Sequence, residues 1–147
     1  MAKAIYFFTK NDPYYEFSNF SNYGVEIDGF YWPTIEHYFQ AAKFFGTEQY
    51  EKIKKAYSPK QAKDLGQSRA IAIRPDWDLV KEDVMLKALR VKFANPKLKA
   101  LLLKTGKKQL IENSPFDRYW GCGRDGTGRN RLGHLLMQVR QELKENT

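Results

Sequence analysis

The sequence is poor in the residues that build disulfides and metal sites. Its single cysteine, Cys122, excludes an internal disulfide and a cysteine-rich zinc site. Its two histidines, His37 and His134, lie far apart in the chain and match no metal-ligand spacing. A long apolar run is also missing near the start, because the run over residues 4–8 is too short for a signal peptide or a membrane span. We therefore expect a cytoplasmic protein that uses no metal and no cofactor and has no membrane partner.

Signs of a domain boundary are missing as well. The 147 residues contain no linker rich in Pro, Gly or Ser, and no repeat with a period of about 20–50 residues. A chain of this length fits one domain and is long enough to bury a core. Hydrophobic residues make up 42% and charged residues 29%, which is ordinary for a soluble globular protein. The sequence therefore predicts a single domain over residues 1–147.

Basic residues exceed acidic ones, and the excess is concentrated in the middle of the chain. The net charge is +8; residues 46–108 hold 16 basic and 7 acidic residues, which gives +9, whereas residues 1–45 give −2 and residues 109–147 give +1. A basic segment attracts nucleotides and nucleic acids. Lysine-rich helices with a solvated face produce the same excess, and lysine predominates over arginine here. Charge alone does not decide between these two interpretations.

The order of apolar and turn-forming residues predicts the secondary structure. We predict a strand over residues 4–9 and a hairpin that turns at Asp28 and Gly29, since Asp-Gly between apolar runs favours a tight turn. After Pro33, which suits a first helical turn, helical patterns predominate. They predict six helices, over residues 34–45, 47–57, 59–66, 79–94, 96–104 and 130–144. A short strand is predicted over residues 109–112. The predicted fold class is helix-rich α+β: a single compact domain with a small N-terminal β-hairpin or sheet and about six helices.

The segment WPTIEHYFQAAKF, residues 32–44, predicts a helix with an unusually narrow polar face. At 100° per residue its apolar side is broad and holds Ile35, Tyr38, Phe39, Ala42 and Phe45. Glu36, Gln40 and Lys43 remain in a stripe about 60° wide. A surface helix normally shows water a wider polar face. The pattern therefore favours a stripe that points at a site inside the protein over an exposed helical ion pair.

A glycine-rich segment, WGCGRDGTGRN, precedes the last predicted helix. It has four glycines in eight positions, which let backbone N–H groups approach a ligand closely: Gly121, Gly123, Gly126 and Gly128. The spacing satisfies G-x-G-x-x-G, but no βαβ unit surrounds it, and we therefore do not expect a dinucleotide-binding fold. The alternatives for this segment are a ligand-binding loop and a flexible irregular loop.

Four segments together resemble one family. EFSNF (residues 16–20), WPTIEHYFQAAKF (32–44), RPDWDLVKEDVMLKALRVKF (74–93) and DRYWGCGRDGTGRNRLGHLLM (117–137) are similar, in this order, to motifs of the NADAR family of YbiA-like proteins. Members of that family are N-glycosidases of riboflavin-pathway intermediates, and some remove ADP-ribose from guanine. The resemblance implies a hydrolase of N-glycosyl compounds with a mostly helical α+β fold. Cys122 stands where the family pattern favours an acidic residue, so a catalytic cysteine is not expected.

The resemblance also implies roles for particular residues. Glu36, in the motif W-P-T-x-E-H, and Asp117, just before Y-W-G, look like the active-site carboxylates, and Lys43 is a third expected catalytic residue. Substrate-binding positions are implied for Asn19, Arg69, Trp77, Trp120, Gly121, Asn130 and Arg131. Taken by itself, the tryptophan of RPDWD either covers the core or stacks a ring-shaped ligand.

These residue types suit the cleavage of a bond between C1′ of ribose and nitrogen. The reaction builds positive charge on the sugar, which a carboxylate stabilises, and a carboxylate also deprotonates the attacking water while an acid assists the departing amine. Which carboxylate takes which role stays open. Lys43 either neutralises a phosphate or, if burial lowers its pKa, attacks C1′ of a ring-opened sugar as an amine.

Two functions of different classes follow from these features. The first is an N-glycosidase that acts on a phosphorylated ribose or ADP-ribose joined to an amine or nucleobase. Its substrate is a small ribosylamino-pyrimidine of riboflavin synthesis or ADP-ribosyl-guanine in DNA or RNA. The second is a module that binds NAD, ADP-ribose or nucleic acid without catalysis. Two carboxylates favour the enzyme, because a binder of anionic ligands gains little from them.

Overall fold

The structure of the protein is a computed structural model that describes residues 3–146. Within this range, four strands, six helices and a 3₁₀ turn at Tyr15–Phe17 follow one another along the chain. They are β1 Ala4–Phe7, β2 Val25–Ile27, β3 Phe30–Trp32, α1 Ile35–Ala42, α2 Glu48–Lys54, α3 Pro59–Gln67, α4 Trp77–Lys92, α5 Pro96–Lys104, β4 Gln109–Glu112 and α6 Arg131–Glu145. The predicted fold class, helix-rich α+β with about six helices and a small sheet, is confirmed.

Capping side chains account for where four of the helices begin. The side chains of Thr34, Thr47, Ser58 and Asn95 each accept a backbone N–H from the first turn of the helix that follows. Pro59 is the first residue of α3, where its missing N–H costs no hydrogen bond. Local sequence signals therefore set these boundaries.

The prediction of a first long helix over residues 34–45 was too long at its C-terminal end. The helix α1 ends at Ala42, and the chain turns through Gly46, whose φ of 82° is left-handed. Phe45, which we placed on the buried side, therefore leaves the helical face and is 71% exposed. The helix over 47–57 is likewise shorter, ending at Lys54, whereas the fourth helix begins at Trp77, before its predicted start.

The chain forms two compact units. Unit 1 comprises the chain up to Ser21 and from Phe93 onward, and unit 2 comprises Asn22–Lys92. The expectation of a single domain over residues 1–147 stays a prediction.

Unit 1 is built on a parallel pair of strands that are distant in sequence. β1 pairs with β4, from Ala4 opposite Gln109 to Phe7 opposite Glu112. The helix α6 packs against β4 and buries five residues: Leu132, Gly133, Leu135, Leu136 and Val139. An aromatic chain continues this core, because the ring of Phe17 lies 5.8 Å from the rings of both Phe7 and Phe93.

Unit 2 is arranged around α1. All eight residues of this helix are buried, and α2, α3 and α4 pack against it. The predicted hairpin of β2 and β3 turns at Asp28 and Gly29, both with positive φ. Trp32, at the end of that hairpin, is fully buried and donates from Nε1 to the carbonyl oxygen of Ile27 at 3.2 Å. A two-turn helix with no exposed residue needs internal partners for every polar side chain it carries.

No helix within residues 3–146 is both long enough and apolar enough to cross a membrane.

Gly133 offers a direct test of the packing of α6 against β4. A Cβ at this position would overlap the backbone oxygen of Leu110, and a backbone atom cannot move aside as the end of a flexible side chain does. Replacing glycine by alanine in a helix usually gains about 1 kcal/mol, whereas overpacking costs about 1–3 kcal/mol. We therefore expect Gly133→Ala to lower the free energy of unfolding measured in urea. The control is His134→Ala at the exposed neighbouring position, and a Gly133 variant as stable as this control contradicts the packing.

Candidate active site

The first turn of α1 is held by His37. Its Nε2 lies 2.9 Å from the carbonyl oxygen of Ala56, which only accepts hydrogen bonds, and Nε2 therefore carries the proton. Its Nδ1 then accepts the hydroxyl proton of Thr34 at 2.8 Å. Burial lowers the pKa of His37, which favours this neutral tautomer. His37 thus fixes the helix that carries Glu36.

The polar stripe of α1 does not face solvent. Glu36 and Lys43 are each 7% exposed, and Gln40 between them is 4% exposed. The amide Nε2 of Gln40 donates to Oε2 of Glu36 at 2.6 Å. Lys43 donates from Nζ to the carbonyl oxygen of Gly66 at 3.4 Å. The alternative of an exposed helical ion pair is therefore wrong.

Lys43 is an unusually acidic lysine. Its pKa is lowered from 10.5 to about 8, chiefly by burial and next by the positive charge of Arg69, while the negative charge of Glu36 acts in the opposite direction. The ammonium group of Lys43 therefore loses its proton close to neutral pH, so that both the charged and the neutral amine are accessible.

Two cations converge on the C-terminal end of α3. Arg69 donates from Nη1 to the carbonyl oxygens of Gly66, at 3.0 Å, and Ser68, at 3.2 Å. Because Lys43 bonds to the same oxygen of Gly66, the two positive groups lie near each other although they are distant in sequence. The last carbonyls of a helix carry partial negative charge and attract cations. This arrangement presents two cationic groups to an anion such as a phosphate.

Trp77 packs against α1 beside the polar stripe. It is 6% exposed, and its ring lies 5.1 Å from that of Phe39 on α1. Nζ of Lys43 lies 6.0 Å from the centre of each of these rings, at the limit of a cation–π contact. Trp77 thus packs in the core of unit 2, and its stacking against a ligand stays a prediction.

The glycine-rich segment of unit 1 is ordered by Asp117. Its Oδ1 accepts the backbone N–H groups of Tyr119 at 2.9 Å and Trp120 at 2.8 Å. Trp120 is half-buried, with its ring edge-on to Tyr119 at 4.9 Å. Gly121 has no room for a side chain, since a Cβ would lie 2.9 Å from the backbone oxygen of Asp117. Asp117 thus shapes this loop, whatever its chemical role.

Asn130 joins the loop to the sheet of unit 1. Its Oδ1 accepts from the backbone N–H of Glu112, and its Nδ2 donates to the oxygen of Leu110, both at 2.9 Å. The side-chain amide is therefore committed to β4, and its contact with substrate stays a prediction. Arg131 begins α6 next to it, and Asn19 is buried at the end of the 3₁₀ turn region. Cys122 is buried, with Sγ 3.3 Å from Oδ1 of Asn113.

The predicted site residues thus fall into one group per unit. Glu36, Lys43, Arg69 and Trp77 lie together in unit 2, and we call them, with Gln40, the stripe cluster. Asn19 and the residues of the glycine-rich region belong to unit 1: Asp117, Trp120, Gly121, Asn130 and Arg131. Gln40 was visible in the helical periodicity but received no role. Its position one helical turn after Glu36 was the available signal.

A cavity and the grouping of metal-ligating side chains also bear on ligand binding. A cavity of about 370 Å³ in unit 2 is lined by Tyr38, Ala42, Phe45, Arg74 and Lys87 among others, and by none of the predicted site residues. Within residues 3–146, no three His, Cys, Asp or Glu side chains are grouped to hold a metal ion. The expectation that the reaction needs no metal stays a prediction.

Comparison with known proteins decides the family. The model of the NADAR domain matches residues 6–144. The chain belongs to the NADAR domain family. It is 46% identical over 140 residues to N-glycosidase YbiA of Escherichia coli (strain K12), covering 95% of this chain and 88% of that protein. It is 41% identical over 158 residues to "Riboflavin biosynthesis protein PYRR, chloroplastic" of Zea mays, covering 97% of this chain and 25% of that protein.

A solved structure agrees with the sequence comparison. The NMR structure of the E. coli protein YbiA matches with a TM-score of 0.91 and 44% identity, over 99% of this chain and 88% of that one. The resemblance inferred from the four motifs is therefore confirmed. This NADAR protein is a hydrolase of N-glycosyl compounds, an N-glycosidase.

The lowered pKa of Lys43 predicts how stability depends on pH. Between pH 8 and 10.5 the folded protein has lost this proton and the unfolded chain still holds it. Unfolding then takes up a proton, and raising the pH therefore stabilises the folded state, by up to about 1.4 kcal/mol per pH unit. We expect the free energy of unfolding of the wild type to rise relative to that of Lys43→Met from about pH 7.5 to about pH 9.5. Lys55→Met, at an exposed lysine, is the control. A difference that does not change with pH contradicts the burial of Lys43.

Proposed function

We propose that this N-glycosidase hydrolyses the C1′–N bond of a small phosphorylated ribosylamine, of the class of ribosylamino-pyrimidines formed in riboflavin biosynthesis. The observation that carries the proposal is the stripe cluster: a buried carboxylate beside two converging cations. A carboxylate stabilises positive charge at C1′, and the cations bind a phosphate. The name of the Zea mays relative supports the choice of pathway.

In this mechanism Glu36 acts as a carboxylate. Its negative charge attracts the positive charge of Lys43, and this attraction favours the ionised form. In that form it stabilises the oxocarbenium-like ribose or deprotonates the attacking water. Asp117 is proposed as the second carboxylate on its match to the family motif. Trp77, Trp120, Gly121, Asn19, Asn130 and Arg131 are proposed to contact substrate on the same basis.

Lys43 has two proposed roles, and both use its position beside Glu36. As an ammonium group it binds the phosphate together with Arg69. As a neutral amine, which a pKa of about 8 makes available near neutral pH, it attacks C1′ of the ring-opened sugar. The C1′–N bond to the departing amine then breaks as that amine takes up a proton, and water hydrolyses the Schiff base left on Lys43. Reduction with borohydride during turnover distinguishes these two roles of Lys43. A Schiff base leaves a ribosyl adduct of defined mass on Lys43, and a phosphate-binding lysine leaves none.

Two lysines of the basic middle segment support a small substrate over a nucleic acid. Lys54 pairs with Glu51 at 3.1 Å and lies 3.8 Å above the ring centre of Phe30. Lys60 pairs with Asp64 at 3.0 Å. Lysines held in local pairs are less available to the phosphates of a DNA or RNA strand. We therefore propose ADP-ribosyl-guanine in DNA or RNA as the less favoured of the two candidate substrates.

Glu36→Gln tests the proposed reaction. The amide preserves the volume of the side chain and removes its charge, and we therefore expect the variant to fold and to bind ribose 5-phosphate while kcat falls by about a hundredfold or more. The measurement is release of free amine from a ribosylamino-pyrimidine phosphate. Near-normal turnover would remove Glu36 from the mechanism.

The same assay on a second substrate tests the substrate class. An oligonucleotide that carries ADP-ribosyl-guanine is compared with the small substrate at low and high salt. We expect kcat/KM to be higher on the small substrate and to depend little on salt. The opposite preference, with a steep dependence on salt, would make modified nucleic acid the substrate.

A further inference from the structure

Gln40 occupies the centre of the stripe cluster and has no role in the function proposed above. It is 4% exposed, and its Nε2 donates to Oε2 of Glu36 at 2.6 Å. At the other end of the same amide, Oε1 is buried and accepts no hydrogen bond from residues 3–146. Burying an acceptor without a partner destabilises a fold, and an apolar side chain of similar size would avoid this cost. A role in packing alone therefore does not explain a glutamine here.

The helix α3 fixes the position of this amide. Gly66 has no side chain at the point where α3 meets α1: a Cβ there would overlap Oε1 of Gln40 and lie 2.8 Å from its Cβ. The carbonyl oxygen of the same glycine accepts from Lys43 and Arg69. Gly66 thus sets the position of the two cations through its oxygen, and that of Gln40 through its missing side chain.

We propose that Gln40 is a positioning residue for the reaction: held by Gly66, it keeps the Glu36 carboxylate ionised and fixed in direction. The proposal rests on the proposed function of Glu36. A donated N–H stabilises the charged form of a carboxylate over the protonated form. It also restricts rotation of the carboxylate, which is required if one oxygen is to face C1′. Gln40 acts through Glu36 and contacts no substrate.

Gln49 provides a matched control. It is also a buried glutamine of unit 2, 7% exposed, and its Nε2 donates to the carbonyl oxygen of Leu65 at 2.9 Å, one residue before Gly66. Replacing it with methionine therefore removes an amide hydrogen bond at the same end of α3 without touching the Glu36 carboxylate. A disturbance of α3 alone should affect both Gln40→Met and Gln49→Met. A change that acts through Glu36 should appear only in Gln40→Met.

The first experiment compares Gln40→Met and Gln49→Met with the wild type in N-glycosidase turnover. We expect Gln40→Met to lower kcat about tenfold with KM nearly unchanged, the size expected for one lost hydrogen bond to a charged group. The acid limb of its kcat/KM profile should move up by about one pH unit. Gln49→Met should change neither. Gln40→Asn, whose shorter amide does not reach Glu36, replaces Gln40→Met if that variant does not fold.

A double-mutant cycle tests whether the loss of kcat in Gln40→Met acts through Glu36. In the Glu36→Gln background the carboxylate is gone, and Gln40→Met should then lower kcat no further. Additive losses, a rise in KM without loss of kcat, or equal effects at Gln49 overturn the proposal.

A second experiment needs no substrate and therefore separates this proposal from the proposed function. The carboxyl carbon of Glu36 is followed by NMR as the pH is changed. We expect the midpoint of its titration to be about one pH unit higher in Gln40→Met than in the wild type. Equal midpoints refute the positioning role, even if the enzyme is active. If the midpoint of the Glu36 titration shifts but the protein has no N-glycosidase turnover, the positioning role of Gln40 is supported and the proposed reaction is rejected.

Discussion

The energetic constraint on unit 2 is the burial of opposite charges on one short helix. Removing a carboxylate or an ammonium group from water costs several kcal/mol unless the protein supplies partners. Glu36 receives the amide of Gln40, and Lys43 receives the carbonyl oxygen at the end of α3. The contact of Lys43 requires α3 to approach α1 closely, and Gly66 permits that approach because it has no side chain. These contacts do not fully replace water around the ammonium group of Lys43, and its pKa is lowered for that reason.

This burial connects the fold to the chemistry of an N-glycosidase. Inside a protein the effective dielectric constant is lower than in water, and a fixed carboxylate stabilises a developing positive charge more strongly there. The neutral His37 and the capping Thr34 hold the first turn of α1 in place. Trp77 closes the aromatic side of the helix. The surroundings of the stripe therefore fix the direction of its side chains before substrate arrives.

Much of this arrangement could be predicted from the sequence, because its signals are local. The Asp28-Gly29 pair located the turn of the hairpin, and the narrow polar stripe identified α1 as buried. Contacts between distant residues could not be predicted. The parallel pairing of β1 with β4, the meeting of Gln40 with Gly66 and the commitment of Asn130 to β4 each depend on tertiary packing. Phe45 was misplaced because the turn at Gly46 ends the helix early, and periodicity carries no signal for that.

On the proposed function, the stripe cluster binds the phosphorylated ribose. The most direct measurement is an NMR titration of ¹⁵N-labelled protein with ribose 5-phosphate. We predict that the NMR signals of the side-chain amide of Gln40 and of the backbone amides near Gly66 and Arg69 shift together and saturate at one affinity. We also predict that Glu36→Gln retains this binding. Saturating shifts around Tyr38, Phe45 and Lys87, with the stripe unchanged, would contradict it.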